Sequence, residues 1–204
     1  MKVTIIGGSK GTGAYVGAAA LKAGDEVTVL SRSGNVPEDV HSVVGSATGP
    51  AAVREAIAGA DAVVVTVGGA KGVRHQRAAA TRTVIAAMKD TGVRRLIVQS
   101  SLGAGDSGSQ LPAPLNLITP VMLAKPLADH NEQEAAVEKS GVNWTIVRPS
   151  GLTDKPATGE VKALSVGQDG KLGGSIPRAD LAQFILAAVT DESTFGKAIG
   201  VSGR

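Results

Sequence analysis

Val3-Thr4-Ile5-Ile6-Gly7-Gly8-Ser9-Lys10-Gly11-Thr12-Gly13 is the stretch that decides the fold. Residues 3–7 form an unbroken, mostly β-branched run stopping at glycines, as in a strand buried on both faces. Residues 13–23 are Ala-rich and close at Gly24, which suits a helix ended by a left-handed residue. Glycines between a first strand and a first helix are what a dinucleotide fold needs. One permits the tight turn, others let backbone approach a pyrophosphate, and the last packs helix on strand. The helix start offers free N–H groups and a positive dipole end to phosphate. Thr12 adds a hydroxyl and Lys10 a charge. The alternative is a purely structural turn.

Outward from that loop, strands alternate with helices. Strands are expected at 26–30 (EVTVL), 42–44, 61–67 (DAVVVTV), 95–99 (RLIVQ), 144–147, 161–166 and 198–202. Helices are expected at 50–58, 73–90, 121–140 and 177–190. Residues 102–120, rich in Gly, Ser and Pro, are expected to be a long loop, either a lid, a binding loop or a disordered segment. Residues 150–160 are expected to be a loop. No linker or repeat divides the chain. The expectation is a single α/β domain over 1–204, Rossmann-like and doubly wound, with a mostly parallel sheet.

Composition narrows the chemistry. Of 204 residues, 27 are Gly and 31 Ala, while the only aromatic residues are Tyr15, Trp144, Phe184 and Phe195. The core must be Val, Ile, Leu and Ala. A base-stacking surface for single-stranded nucleic acid has almost nothing to stack with. There are no cysteines, which excludes disulfides, thiol redox chemistry and Cys-ligated metals. The three histidines, His41, His75 and His130, are far apart in sequence, and no metal site is expected. No apolar run approaches a membrane span, and a soluble cytoplasmic protein is expected. Net charge is +3. Residues 62–95 alone carry Lys71, Arg74, Arg77, Arg82, Lys89, Arg94 and Arg95 against Asp90. This is either a solvated helix face or a site for a phosphate-bearing ligand.

The second strand runs into Ser31-Arg32-Ser33. A site for NAD usually places an acid there for the ribose 2′-hydroxyl, and no acid lies between Glu26 and Glu38. A guanidinium suits a 2′-phosphate, hence NADP(H). Read plainly, Arg32 is an exposed arginine at a strand end. A ligand of an open α/β sheet crosses the strand ends, here Gly7, Arg32, Gly68-Gly69, Ser100-Ser101 and Arg148-Pro149.

The stretches VTIIGGSKGTG, EVTVLSR, AIAGADAVVVTVGG, VIAAMKDTGVRRLIVQSS, ADHNEQEAAVEKSGVNWTIVRPSGLTD and IPRADLAQFIL together resemble the atypical short-chain dehydrogenase/reductase group. They look like its NAD(P)-binding NmrA-like and biliverdin reductase B (flavin reductase)-like branch. The resemblance implies that Gly7, Gly11, Thr12 and Gly13, with Gly8, Ser9 and Lys10 in the same loop, hold the pyrophosphate. Ser31, Arg32 and Ser33 would meet the 2′-phosphate. Gly45 and Ser46 would lie near the adenine, where Ser46 replaces the usual Asp. Gly68 and Gly69 would pass under the adenosine ribose. Ser100 and Ser101 would stand beside the nicotinamide. Pro149, Ser150 and Gly151 would meet the carboxamide. Gly151 stands where biliverdin-reductase-like members tend to carry His, which puts tetrapyrrole reduction in doubt.

The Tyr-xxx-Lys pair of typical short-chain dehydrogenases is missing. Lys125 matches the Lys, but Val121 stands at the Tyr position. Lys125 either bonds the nicotinamide ribose or is an exposed helix lysine. Asp129, Glu132, Glu134 and Glu138 read as a solvated acidic face. His130 is either a proton donor at a pocket mouth or a surface residue. Trp144 reads as core, and Asp180 as a structural acid at a helix start. The leading expectation is an NADPH-dependent reductase passing hydride to a flavin or quinone, with Ser101 and Lys125 as candidate catalytic residues. It would work as a monomer or weak homodimer, with no nucleic-acid or membrane partner. The alternative is a non-catalytic NADP sensor of the NmrA type acting through a protein partner. A nucleotide-sugar or isomerase activity ranks below both, because the chain is short for a substrate lobe.

Overall fold

The computed structural model describes residues 1–69, 73 and 75–204. The chain runs β1 (Lys2–Ile6), α1 (Gly11–Lys22), β2 (Glu26–Ser31), β3 (His41–Val44), α2 (Pro50–Ile57), β4 (Ala62–Val65), α3 (Gln76–Thr91) and β5 (Arg95–Gln99). It continues with α4 (Leu115–Met122), α5 (Ala124–Glu138), β6 (Asn143–Pro149), β7 (Gly151–Thr153), β8 (Val161–Ser165), β9 (Ser175–Pro177), α6 (Arg178–Thr190) and β10 (Lys197–Gly203). The main sheet has the order β3-β2-β1-β4-β5-β6-β10-β8. Every neighbour pair is parallel except β10 with β8. The order reverses between β1 and β4, the point where open α/β sheets bind ligands.

The central strands β1, β4 and β5 read as nearly continuous apolar runs because helices cover both faces. Val64 and Ile5 face one way, into a core with Val16, Leu181 and Ile185 of α1 and α6. Val63, Val65 and Ile6 face the other way, onto Val53, Val84, Met88 and Val137 of α2, α3 and α5. A smaller cluster, Leu102, Leu111 and Leu172, lies under the β5–α4 segment. Among the described residues no helix is long and apolar enough to cross a membrane.

Four expectations need correction. Residues 102–120 are not one loop: a 3-10 turn spans Ser107–Gln110, and α4 begins at Leu115 with Pro114 at its N-cap. The single helix expected at 121–140 is two, α4 and α5, meeting at Leu123. The loop at 150–160 contains β7, which pairs with β9 in a separate two-stranded sheet. The acidic face of α5 is only partly solvated: Glu132 and Glu138 reach the surface, but Asp129 and Glu134 are buried. Both find cationic or N–H partners on distant elements, which the local pattern does not display.

Among the described residues the basic stretch does not gather into one site. Arg95 is buried at the start of β5 and donates to the carbonyls of Val189 and Asn143 and to the Thr145 and Thr194 hydroxyls. Its guanidinium also lies 4.1 Å over the Phe195 ring. Burial pushes its pKa down to about 10. Arg82 pairs with Glu132 at the surface. Lys71 and Arg74 lie outside the described residues.

Candidate nucleotide site

Two clefts meet along the carboxyl ends of the strands. The first, of about 470 Å³, is lined by Gly7, Ser9, Lys10, Gly11, Thr12, Ser31, Arg32, Gly45, Ser46, Gly68, Gly69 and Arg178, among others. The second, of about 500 Å³, holds Ser100, Ser101, His130, Pro149, Ser150 and Gly151 beside seven leucines: 102, 111, 115, 123, 127, 152 and 172. Thr66, Val67, Gly68, Gln99 and Leu152 line both, so the clefts form one trough.

The glycine loop explains its own residues. Gly7 has φ +92 and lies against the Val67 backbone, where a β-carbon would come within 3.3 Å. Gly13 lets α1 dock: a β-carbon there would lie 2.5 Å from Thr66 Oγ1 and 2.7 Å from the Gly7 carbonyl oxygen. Gly8 and Gly13 are buried behind the trough and do not line it. The start of α1 has no side-chain cap on its N–H groups and no acid in its first turn. An anion would be favoured there by the dipole and by unpaired donors.

Not every expected residue reaches the trough. Ser33 is exposed and outside both clefts. Lys125 is exposed on α5 and lines neither cleft, although its neighbour Pro126 lines the second. Tyr15 is also exposed and lines neither cleft. Arg148 is a correction. It is 2% exposed and turned away from the trough, with bonds from Nε and Nη2 to the Glu134 carboxylate at 3.0 and 2.9 Å and from Nη1 to Asp106 at 2.7 Å. Burial lowers its pKa, but these two acids outweigh that and raise it.

His130 is buried in the wall of the second cleft. Its Nδ1 lies 3.4 Å from Ser100 Oγ and 3.2 Å from Gln133 Oε1, while Gln133 Nε2 donates to Thr81 at 3.0 Å. Burial, aided by the Arg77 charge, pushes the imidazole down to about 4. It is therefore neutral at neutral pH and holds Ser100 rather than carrying a labile charge. Next to it, Asp129 accepts from the backbone N–H of Arg77 and Ala78 at 3.1 and 3.0 Å and from Arg77 Nη1 at 3.2 Å. A carboxylate on α5 thus caps the start of α3. Burial favours its neutral form, but these donors win and hold its pKa below the usual range.

Three contributors escaped the sequence reading. Gln99 ends β5 at the junction of the clefts, and its Oε1 is buried without a partner. Arg178 enters the first cleft from α6. The leucines of the second cleft come from the β5–α4 segment, α4, α5, β7 and the β8–β9 segment. An orphaned acceptor, an uncapped helix start and glycines that exclude side chains together fit a dinucleotide with its pyrophosphate at α1.

Fold and site define a dinucleotide-binding α/β protein of the doubly wound type. The chain belongs to the NAD(P)H-binding family, which it matches over residues 7–192. It is 27% identical over 158 residues, 75% of this chain and 68% of the relative, to a Bacillus subtilis protein described as an uncharacterized sugar epimerase, YhfK. Its structure is similar to that of ChuY, an anaerobillin reductase from Escherichia coli, with a TM-score of 0.83, 25% identity and coverage of 100% and 97% of the two chains. It also resembles a short-chain dehydrogenase/reductase from Veillonella parvula in complex with NADP, with a TM-score of 0.84, 20% identity and coverage of 98% and 94%.

Proposed function

We propose that the protein is an NADPH-dependent reductase that passes hydride to a small aromatic acceptor, such as a flavin or quinone, without a Tyr–Lys pair. One observation carries this reading. Among the described residues the first cleft is lined by the cations Lys10, Arg32 and Arg178 and by no carboxylate, and it opens directly onto a leucine-walled cleft. A cation-rich, acid-free cleft suits the phosphates of NADPH, and Arg32 at the end of β2 suits the 2′-phosphate. The leucine walls suit a flat apolar acceptor.

When bound, the reduced nicotinamide supplies the hydride. The chain's own residues do the rest. Gln99 Oε1 stands ready to accept a bond at the junction of the clefts. Ser101 presents its hydroxyl in the second cleft, where Oγ lies 3.3 Å from the Leu102 carbonyl. Ser100 is held by His130. Leu102, Leu111 and Leu172 keep water from the acceptor's face. Lys125 enters this reading only as a residue whose side chain would swing in from α5. Neutral His130 does not donate a proton as imidazolium, so the one proton that completes the reduction comes from water. The reading also takes the protein as cytoplasmic, and as a monomer or weak homodimer.

The test is NADPH oxidation with FMN, dichlorophenolindophenol and a simple quinone, followed by the nicotinamide absorbance. Turnover with at least one acceptor is expected, and Ser101→Ala should lower kcat more than NADPH affinity. Tight NADPH binding without turnover on any of them would replace the reductase with the NADP-sensor alternative.

A further inference from the structure

We propose that Arg178 is a ligand of the cofactor's pyrophosphate, a latch held by Asp154 until the dinucleotide arrives. The proposal rests on the cofactor reading above and adds a residue from the far end of the chain.

The short sheet explains how Arg178 gets there. β7 and β9 run parallel, with Thr153 opposite Pro177. The next residues, Asp154 and Arg178, therefore leave that sheet side by side. Arg178 Nη1 donates to Asp154 Oδ1 at 2.8 Å. The pair is lopsided: the arginine side chain is 23% exposed and the carboxylate 73%. Asp154 faces water and does not line the cleft, whereas Arg178 does. Its Nε lies 4.0 Å from where a β-carbon on Gly11 would stand, so it faces the first residue of α1.

A pyrophosphate at the start of α1 would thus sit between unpaired N–H groups on one side and a guanidinium on the other. An exposed carboxylate contributes little to an ion pair, because water screens it and the side chains lose freedom. A bound phosphate offers Arg178 a charge-assisted, two-pronged bond in a more enclosed setting. The arginine should exchange Asp154 for phosphate. Because it meets the glycine loop and not the end of β2, it serves NADPH and NADH alike, unlike Arg32.

The experiment measures dissociation constants for NADPH and NADH by nicotinamide fluorescence in the wild type, Arg178→Met, Arg178→Lys and Asp154→Asn, with melting temperatures as a check on folding. Arg178→Met should weaken both cofactors by a similar factor of about tenfold or more, what losing one contact of about 1.4 kcal/mol gives. Arg178→Lys should retain part of that affinity. Asp154→Asn should leave binding unchanged or tighten it, since it removes the competitor. A merely structural ion pair would make Asp154→Asn and Arg178→Met fail in the same direction, and that result overturns the latch. So does an Arg178→Met protein that binds both cofactors like the wild type, or one that loses NADPH alone. Failure of the wild type to bind either dinucleotide would instead overturn the cofactor reading itself.

Discussion

Gly13→Ala and Gly17→Ala make the same chemical change four residues apart on α1, and the structure gives them opposite signs. A β-carbon on Gly13 would meet Thr66 Oγ1 at 2.5 Å, the Gly7 carbonyl oxygen at 2.7 Å and Gly8 Cα at 2.8 Å. Carbon atoms rest at about 3.5–4.0 Å, so α1 must lift from β1 by a large fraction of an ångström. Two of the three obstacles are backbone and cannot rotate aside. Overpacking of this kind costs about 1–3 kcal/mol. In a chain of this size that lowers Tm by roughly 2–12 °C, at about 2–4 °C per kcal/mol. The lift also moves the first-turn N–H groups that would meet the pyrophosphate in the proposed site, so NADPH affinity should fall as well. At Gly17 the new methyl would lie 3.5 Å from Ile5 Cδ1 and 3.9 Å from Val27 Cγ1, ordinary contact distances. There Ala restores helix propensity and should add about 0.5–1 kcal/mol. Thermal unfolding and NADPH titration of both variants decide the matter. A Gly13→Ala protein melting at or above the wild-type temperature, or a Gly17→Ala protein losing as much as Gly13→Ala, would refute the packing account of this loop.

Arg32→Ala should weaken NADPH by about 10- to 100-fold, the loss of charge-assisted bonds worth about 1.5–3 kcal/mol, and leave NADH nearly unchanged. Equal losses in parallel titrations would remove the 2′-phosphate from Arg32. His130 is held neutral in the fold, with a pKa of about 4. The unfolded chain therefore binds a proton that the fold declines, and stability should fall as pH drops from about 6.5 to about 4, by up to about 3 kcal/mol. Melting curves of His130→Gln across that window should be flatter, and unchanged slopes would contradict the assignment. Glu134→Ala leaves the buried Arg148 with only the exposed Asp106 as a partner and should cost about 3 kcal/mol by denaturant unfolding. Adding Arg148→Met should recover much of that loss, and a double variant no better than Glu134→Ala would show that the stranded charge is not the cause.

The glycine loop and the strand–helix alternation were legible because their information is local. Gly7 through Gly13 and the apolar runs carry their structural meaning in a few neighbouring residues. What was hidden depends on partners far along the chain. Asp129 and Glu134 look like any exposed helix acids until the start of α3 and Arg148 of β6 come to meet them. α4 was obscured by the prolines of the 102–120 segment, although Pro114 turns out to open the helix. β7 and β9 are three residues each, too short for a period to register. Arg178 was visible only as part of a helix start, since its place in the trough follows from the pairing of those two strands. Gln99 bears no mark in sequence, because a Gln ending a strand carries no information until its oxygen proves to be buried and unpaired.

The scarcity of aromatic residues has a use. Trp144 is the chain's single tryptophan, and it stands near the start of β6, packed against the core below the sheet. The same strand ends at Pro149, in the wall of the second cleft. Five steps along the strand separate them, roughly 16 Å at 3.3 Å per residue. The molecule therefore carries one built-in fluorescent donor at a fixed span from the place where a reduced nicotinamide would absorb its emission. Occupancy of the trough can be followed as quenching of that one indole, with no label attached.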